Sequence, residues 1–322
     1  MESWRDLHAE VAARLPDAEA RWLVEDVSGL DRSRWSEPAT ADGRARLDAL
    51  LERRRAGEPL QYVLGRWSFR GLELQVDHRV LIPRPETEIV AEVAIAEARR
   101  PRLAGADGAR PSGGATEAAV AAGGPGATCA VADLGTGSGA LALAFAAELP
   151  GAEVWATDVS PAALEVARGN LAAIAPTAAS RVHFAEGMWY EALPARLRGR
   201  LRVIVSNPPY VTEAEFADLP AEVRDHEPTG ALVAGPTGRE CLEHLVAGGF
   251  DWLEPGGALV LELAPHQAAA MAATAGAAGY DAVAVHADLT GRDRVLVARR
   301  PVQPGRPGPG DLAAGHGSGA DG

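Results

Sequence analysis

Asn207-Pro208-Pro209-Tyr210 are the residues of this chain whose types and spacing most directly suggest chemistry. The asparagine brings a side-chain carbonyl. Pro208 has a carbonyl with no neighbouring N–H to engage it, because another proline follows. Two such acceptors can hold the two hydrogens of an –NH2 group, and Tyr210 adds a flat face for that group to lie against. The arrangement suits an amide or amino nitrogen. The tetrapeptide follows the apolar run Val203-Ile204-Val205-Ser206, which predicts a buried strand. It therefore sits at a strand's carboxyl end, where open α/β sheets place their ligands. Asn-Pro-Pro is also a common way to end a strand and open a loop, so the stretch needs company before it defines a site.

That company is a glycine-rich turn. Val131-Ala132-Asp133-Leu134-Gly135-Thr136-Gly137-Ser138-Gly139 reads as a strand running into a helix. Glycines allow the sharp turn and a close approach of ligand to backbone, and the helix amino terminus favours negative charge. Asp158 follows at the end of Val154-Trp155-Ala156-Thr157, at roughly the 20-residue spacing of an acid that accepts from ribose hydroxyls. Ser160 then predicts a helix cap, with Pro161 at the first helical position. Gly135, Gly137 and Ala140 also satisfy the dinucleotide pattern G-x-G-x-x-A, so NAD competes with other adenosine ligands, and a tight structural turn competes with both. Asp133 at the head of the loop, together with the Asn-Pro-Pro-Tyr stretch, tilts the choice to S-adenosylmethionine. The loop then faces its methionine and ribose portions, since that cofactor has no pyrophosphate.

The elements that must position these residues follow from periodicity. Strands are predicted near 129–134, 153–157, 181–185, 201–206, 258–263, 281–286 and 294–299, and helices over 140–148, 161–173, 239–252 and 266–277. This alternation predicts a largely parallel sheet covered on both faces. Before it, residues 4–57 carry helical spacing (Leu7, Val11, Leu15; Leu47, Leu50, Leu51) broken by Pro16, Gly29, Pro38 and Gly57. Trp67–Phe69 and Leu72–Val76 flank Arg70-Gly71 as a hairpin, with Gly71 available for positive φ. Pro83 and Pro85 stiffen the entry to a helix running to about Arg99. The stretch 100–128 and the tail 301–322 are rich in Gly, Ala and Pro and aperiodic, and are expected to be a flexible surface insertion and a disordered tail.

The net charge of -13 argues against a free-standing binder of long nucleic acid, which would show a basic stripe. No signal peptide and no uncharged apolar run of membrane-spanning length is seen, and Cys129 and Cys241 have no CxxC partner. A cytoplasmic protein with reduced thiols is expected. The histidines show no ligand spacing, so no metal is expected, and His226 reads as a loop hydrogen-bonder. Tyr190 reads as a core aromatic, and Arg84, Glu86 and Glu88 as an ion-pair network bracing the hairpin.

Several segments together resemble the HemK/PrmC family of protein-(glutamine-N5) methyltransferases that act on peptide-chain release factors. They are Pro59-Leu60-Gln61-Tyr62, Val80–Glu88 (VLIPRPETE), Asp133–Gly139 (DLGTGSG), Ser206–Tyr210 (SNPPY), His226-Glu227-Pro228 and Asp288–Arg294. The resemblance spans about residues 4 to 300, and VLIPRPETE in order with the others is its most specific part. It implies an α/β fold: a class I S-adenosylmethionine-dependent methyltransferase with a Rossmann-like seven-stranded sheet, a small amino-terminal helical domain and a linking β-hairpin. The implied division is 1–65 for a helical substrate-docking domain, 66–84 for the hairpin linker, 85–300 for the methyltransferase domain and 301–322 for the tail.

By position, the resemblance implies cofactor binding by Gly135, Thr136, Gly137, Ser138 and Gly139, with Asp158 on the ribose and Trp189 near the adenine. Asn207 would meet both cofactor and substrate, and Pro208, Pro209 and Tyr210 would complete a pocket for the glutamine of a class 1 release factor's Gly-Gly-Gln motif. Asn207, Pro208 and Tyr210 are the expected catalytic residues. Met188 departs from the family, which commonly has an acidic or polar residue there, and Glu262–Gln267 matches only loosely. Two other functions fit parts of the pattern: amino-methylation of a nucleic-acid base, and a binding adaptor with a vestigial cofactor site. Intact Asp158 and Asn207 weigh against the adaptor.

Overall fold

The computed structural model describes residues 2–101 and 129–302; apart from 100–101 and 301–302, the expected insertion and tail lie outside them. The chain opens with helices α1 (Trp4–Ala12), α2 (Asp17–Ser28), α3 (Ala41–Arg55) and α4 (Leu60–Leu64). Ser3 and Asp6 form a capping box at the start of α1, and Gly29 ends α2 at φ 66°. Their apolar faces meet in a core of their own, with Trp4, Leu7, Leu23, Trp35, Leu47 and Leu51 almost fully buried. Burial of each such leucine stabilises by roughly 1.5–3 kcal/mol, so this layer carries its own driving force.

The hairpin follows as β1 (Arg66–Phe69) and β2 (Leu72–Gln75), in the register Phe69↔Leu72. Both turn residues have positive φ, 48° at Arg70 and 76° at Gly71. A tight hairpin turn of this kind needs left-handed backbone at both positions, a demand the sequence signalled only at Gly71. Arg70 is held there by contacts outside the turn: its N–H donates to Glu88 Oε1 at 2.9 Å and its Nε to Glu148 Oε1 at 2.8 Å.

After α5 (Pro85–Arg99) the chain builds β3 (Ala130–Leu134), α6 (Ala140–Glu148), β4 (Glu153–Asp158), α7 (Pro161–Ile174), β5 (Val182–Glu186) and β6 (Leu201–Ser206). A short parallel ladder, β7 (Val211–Thr212) with β8 (Val233–Gly235), brackets the small helices α8 (Glu213–Asp218) and α9 (Ala221–Arg224). The last elements are α10 (Glu240–Trp252), β9 (Leu253–Glu262), α11 (Ala268–Ala277), β10 (Asp281–Ala287) and β11 (Asp293–Arg299). The β7–β8 ladder lies outside the strands expected from periodicity, its strands being only two and three residues long.

The seven-stranded sheet has the order β10-β11-β9-β6-β3-β4-β5, with β11 antiparallel to both neighbours and the other pairs parallel. Side chains alternate across it. Val131, Val154, Val203, Val205, Val260 and Val297 face a layer that includes α5, α6 and α7. Leu134, Ile204, Leu259, Leu261 and Leu296 face the layer with α10 and α11. The chain leaves β3 toward β4 and β5, then returns to place β6 on the other side of β3. That reversal opens a crevice at the carboxyl ends of β3 and β6, where Gly135 and Asn207 begin their loops.

Candidate active site

The glycine loop is pinned from below and from both flanks. The N–H groups of Gly135 and Thr136 both donate to the Thr157 carbonyl at 2.8 Å, and that of Gly137 to Asp158 Oδ2 at 2.9 Å. Gly135, Gly137 and Gly139 all have positive φ, at 74°, 54° and 85°. A Cβ on Gly139 would come within 3.2 Å of Ala167 Cβ, so this glycine lets the start of α6 close onto α7. Asn170 of α7 donates to the Ser138 carbonyl at 2.9 Å while exchanging two hydrogen bonds with the Gln75 backbone in β2.

Asp133 proves to be an internal strut. It is fully buried, and its Oδ2 accepts from Thr136 Oγ1 at 2.6 Å and from the Ala142 N–H at 3.0 Å. Its Oδ1 meets no donor among the described residues. Burial, only partly offset by those two bonds, pushes its carboxyl up to about 7. Asp158 does face the cleft: Oδ1 accepts the Ser160 N–H at 2.9 Å and Oδ2 the Gly137 N–H. Each carboxylate oxygen can take a further donor. Ser160 caps α7 through the Ala163 N–H, with Pro161 in its first turn.

The cleft encloses about 520 Å³ and is lined by Gly135–Ser138, Asp158, Met188, Trp189, Asn207 and Pro209, among others. Gly139 turns away into α6. Trp189 has left-handed backbone, φ 49°, a strained state for a large side chain that points to a positional role. Its ring would stand 3.4 Å from a Cβ on Gly135, an ordinary contact, so what calls for glycine there is the backbone at φ 74°. Met188 is 53% exposed at the rim. Tyr190 is buried and donates to the Leu245 carbonyl at 2.6 Å, as a core aromatic should.

The four residues of the Asn-Pro-Pro-Tyr stretch separate. Asn207 and Pro209 line the cleft, whereas Pro208 is buried. Tyr210 is half-buried against the α10–α11 side of the core, with its hydroxyl 3.4 Å from Glu262 Oε1 and its carbonyl accepting from Gln267 Nε2 at 3.0 Å. Asn207 Nδ2 donates to Thr87 Oγ1 at 3.1 Å, and Thr87 Oγ1 donates to Glu262 Oε2 at 2.7 Å. Glu262 is 1% exposed, and burial pushes its carboxyl up to about 7 against the opposing pull of Thr87 and Arg294.

The motif reading gave Thr87 and Glu262 no role, although Thr87 lies within Val80–Glu88 and Glu262 opens the loosely matching Glu262–Gln267. A further signal was Glu262 itself, an acid within the apolar run Ala258–Leu263, a place where a charge needs a reason. The expected network of Arg84, Glu86 and Glu88 is corrected: Arg84 pairs instead with buried Glu227 at 2.5 Å, and Glu227 also accepts the Ile82 N–H at 3.2 Å. Glu88 serves the hairpin turn, and Glu86 lies 3.7 Å from Arg292. In His226-Glu227-Pro228 the structural work thus belongs to Glu227, and His226 makes no hydrogen bond among the described residues.

The residues present fit S-adenosylmethionine. The cleft volume lies within the roughly 300–1,000 Å³ of small-molecule sites. Asp158 has spare acceptor capacity for ribose hydroxyls, Trp189 offers an aromatic face, and the glycine loop leaves its backbone open to close approach. Fold and site define a class I methyltransferase that uses S-adenosylmethionine.

Comparison with known proteins narrows the class. Residues 4–65 match the PrmC N-terminal domain and residues 124–222 the Methyltransferase small domain. The release factor glutamine methyltransferase of Deinococcus radiodurans is 41% identical over 310 residues, covering 92% of this chain and 98% of its own. That of Gloeobacter violaceus is 38% identical over 304 residues, covering 92% and 96%. The chain belongs to the release factor glutamine methyltransferase family.

Proposed function

We propose that this enzyme transfers a methyl group from S-adenosylmethionine to the side-chain amide nitrogen of the glutamine in the Gly-Gly-Gln motif of class 1 release factors. The observation that carries the reading is Asn207: its amide lines the cleft beside the glycine loop, with Nδ2 already committed to Thr87. Its Oδ1 meets no donor among the described residues and is left to accept one.

A carboxamide nitrogen is a poor nucleophile because its lone pair is delocalised into the carbonyl. Bound in the cleft, S-adenosylmethionine supplies a methyl group activated by positively charged sulfur. Positioning is therefore the protein's main task. In this reading Asn207 Oδ1 and the Pro208 carbonyl accept the two N–H bonds of the glutamine. They align its nitrogen and stabilise the positive charge that develops there. Pro209 completes the wall, with Tyr210 behind it against the core. No strong general base is required, since the proton can leave to water after transfer. Gly135–Gly139, Asp158 and Trp189 hold the methyl donor. The helical layer 1–65, with its own core, serves as the docking surface for the release factor, carried on the hairpin 66–84 beside the catalytic domain 85–300. A cytoplasmic location follows from that substrate.

The test is incubation of the protein with methyl-labelled cofactor and a release factor, and separately with DNA and RNA. Label in the Gly-Gly-Gln peptide is expected. Label in nucleic acid instead would overturn the assignment.

A further inference from the structure

We propose that Glu262 is a positioning residue for methyl transfer: acting through Thr87, it fixes which way round the Asn207 side-chain amide sits. The proposal rests on the reading that Asn207 Oδ1 receives the substrate amide, and it assigns that orientation a cause.

The argument is one of donor and acceptor counting. An ionised carboxylate can only accept. Glu262 Oε2, 2.7 Å from Thr87 Oγ1, therefore takes the single hydroxyl proton that Thr87 owns. The Thr87 oxygen is left with lone pairs alone toward Asn207. Only the –NH2 end of the asparagine amide can answer them, which is the contact found at 3.1 Å. Oδ1 is then turned to the cleft.

Protonated Glu262 reverses the chain. Its O–H can donate to Thr87, Thr87 to Asn207 Oδ1, and the amide flips to present –NH2 to the cleft. A donor there meets the substrate's own donors and repels them. The polarity of three hydrogen bonds thus decides whether the site receives an amide nitrogen.

The surroundings of Glu262 bias this equilibrium from several sides. Tyr210 brings its hydroxyl to Oε1 at 3.4 Å. Arg294 of β11 favours the ionised form and Glu86 of α5 opposes it. Arg294 is itself shared, donating to the Leu263 carbonyl at 3.2 Å and lying 3.6 Å from Asp288. With the carboxyl raised to about 7 by burial, both polarities are within reach of ordinary pH.

The sequence contains two asparagines, Asn170 and Asn207, so protein labelled with 15N-asparagine shows two side-chain –NH2 pairs in an NMR spectrum. Asn207→Ser identifies the pair of interest by its loss. In the wild-type protein that pair should shift as pH is raised through about 7. Glu262→Gln should abolish this titration, Thr87→Val should move the pair, and Thr87→Ser should restore it. In parallel, Thr87→Val should lower kcat with saturating cofactor by roughly tenfold, the loss of one hydrogen bond. Its KM for S-adenosylmethionine should stay within about twofold, and Thr87→Ser should recover the rate. An Asn207 pair indifferent to Thr87→Val, or one that still titrates in Glu262→Gln, would overturn the proposal. A wild-type enzyme that labels no release factor would overturn the functional reading alone, because the amide signals still decide the relay.

Discussion

Ser206 Oγ donates to the Leu134 carbonyl at 2.6 Å, joining the last residue of β6 to the last residue of β3. The next residues in each strand's path are Asn207 and Gly135. This buried bond, with the β3–β6 pairing below it, ties together the strand ends from which the Asn207 loop and the glycine loop leave.

Asn207→Ala should consequently act on the chemical step. Loss of a preorganised electrostatic contact of this kind costs roughly 10²–10³ in kcat. Single-turnover methylation of a release factor, alongside calorimetric titration of cofactor, should show the rate loss with cofactor binding retained. Near-normal turnover in a folded variant would remove Asn207 from its role.

Trp189→Ala should act on the cofactor instead. Stacking of a base on an aromatic ring is worth about 1–3 kcal/mol, so KM for S-adenosylmethionine should rise between about fivefold and a hundredfold with kcat little changed. Restoration by Trp189→Phe would separate stacking from a general loss of packing.

Asp133 and Glu262 make stability depend on pH in an unusual direction. Both carboxyls titrate near 7 in the folded protein, above their unfolded values. Between about pH 4 and about pH 7 the folded state therefore holds protons that the unfolded chain has released. Their contribution is greatest below about pH 4 and is lost as pH rises to about 7. Asp133→Asn can keep the bonds to Thr136 and Ala142 through Oδ1. It should remove its share of that decline, seen as a flatter plot of Tm against pH.

Arg84→Ala should strand the Glu227 carboxylate, whose side chain is 1% exposed. A charged hydrogen bond lost at a buried partner costs about 1.5–3 kcal/mol, measurable by urea unfolding. Because Pro228, Gly230 and Ala231 line the cleft just beyond Glu227, KM for the release factor should rise as well.

What could be read from sequence is whatever is local in the chain. Apolar runs or alternating apolar residues marked all seven sheet strands, Gly135–Gly139 marked the sharp turn, and Ser160-Pro161 marked the start of α7. Asn207 stood out because its neighbours are prolines. What could not be read depends on residues far apart in sequence. Thr87 meets Glu262 across 175 positions and Arg84 meets Glu227 across 143, and neither pair leaves a periodic trace. Arg70 gave no sign of its left-handed backbone because the glutamates that hold it lie on α5 and α6. Asp133 was legible as an acid beside the loop, but only burial reveals that it points into the protein.

Asn170 has a consequence for how the two halves of the protein communicate. A single side chain grips both the Gln75 backbone, on the hairpin leading from the helical layer, and the Ser138 carbonyl in the glycine loop. The hairpin and the glycine loop thus share one side chain in addition to the bonds each makes separately. A displacement of the hairpin at Gln75 therefore reaches the Ser138 backbone through one side chain, and Asn170→Ala would uncouple the two.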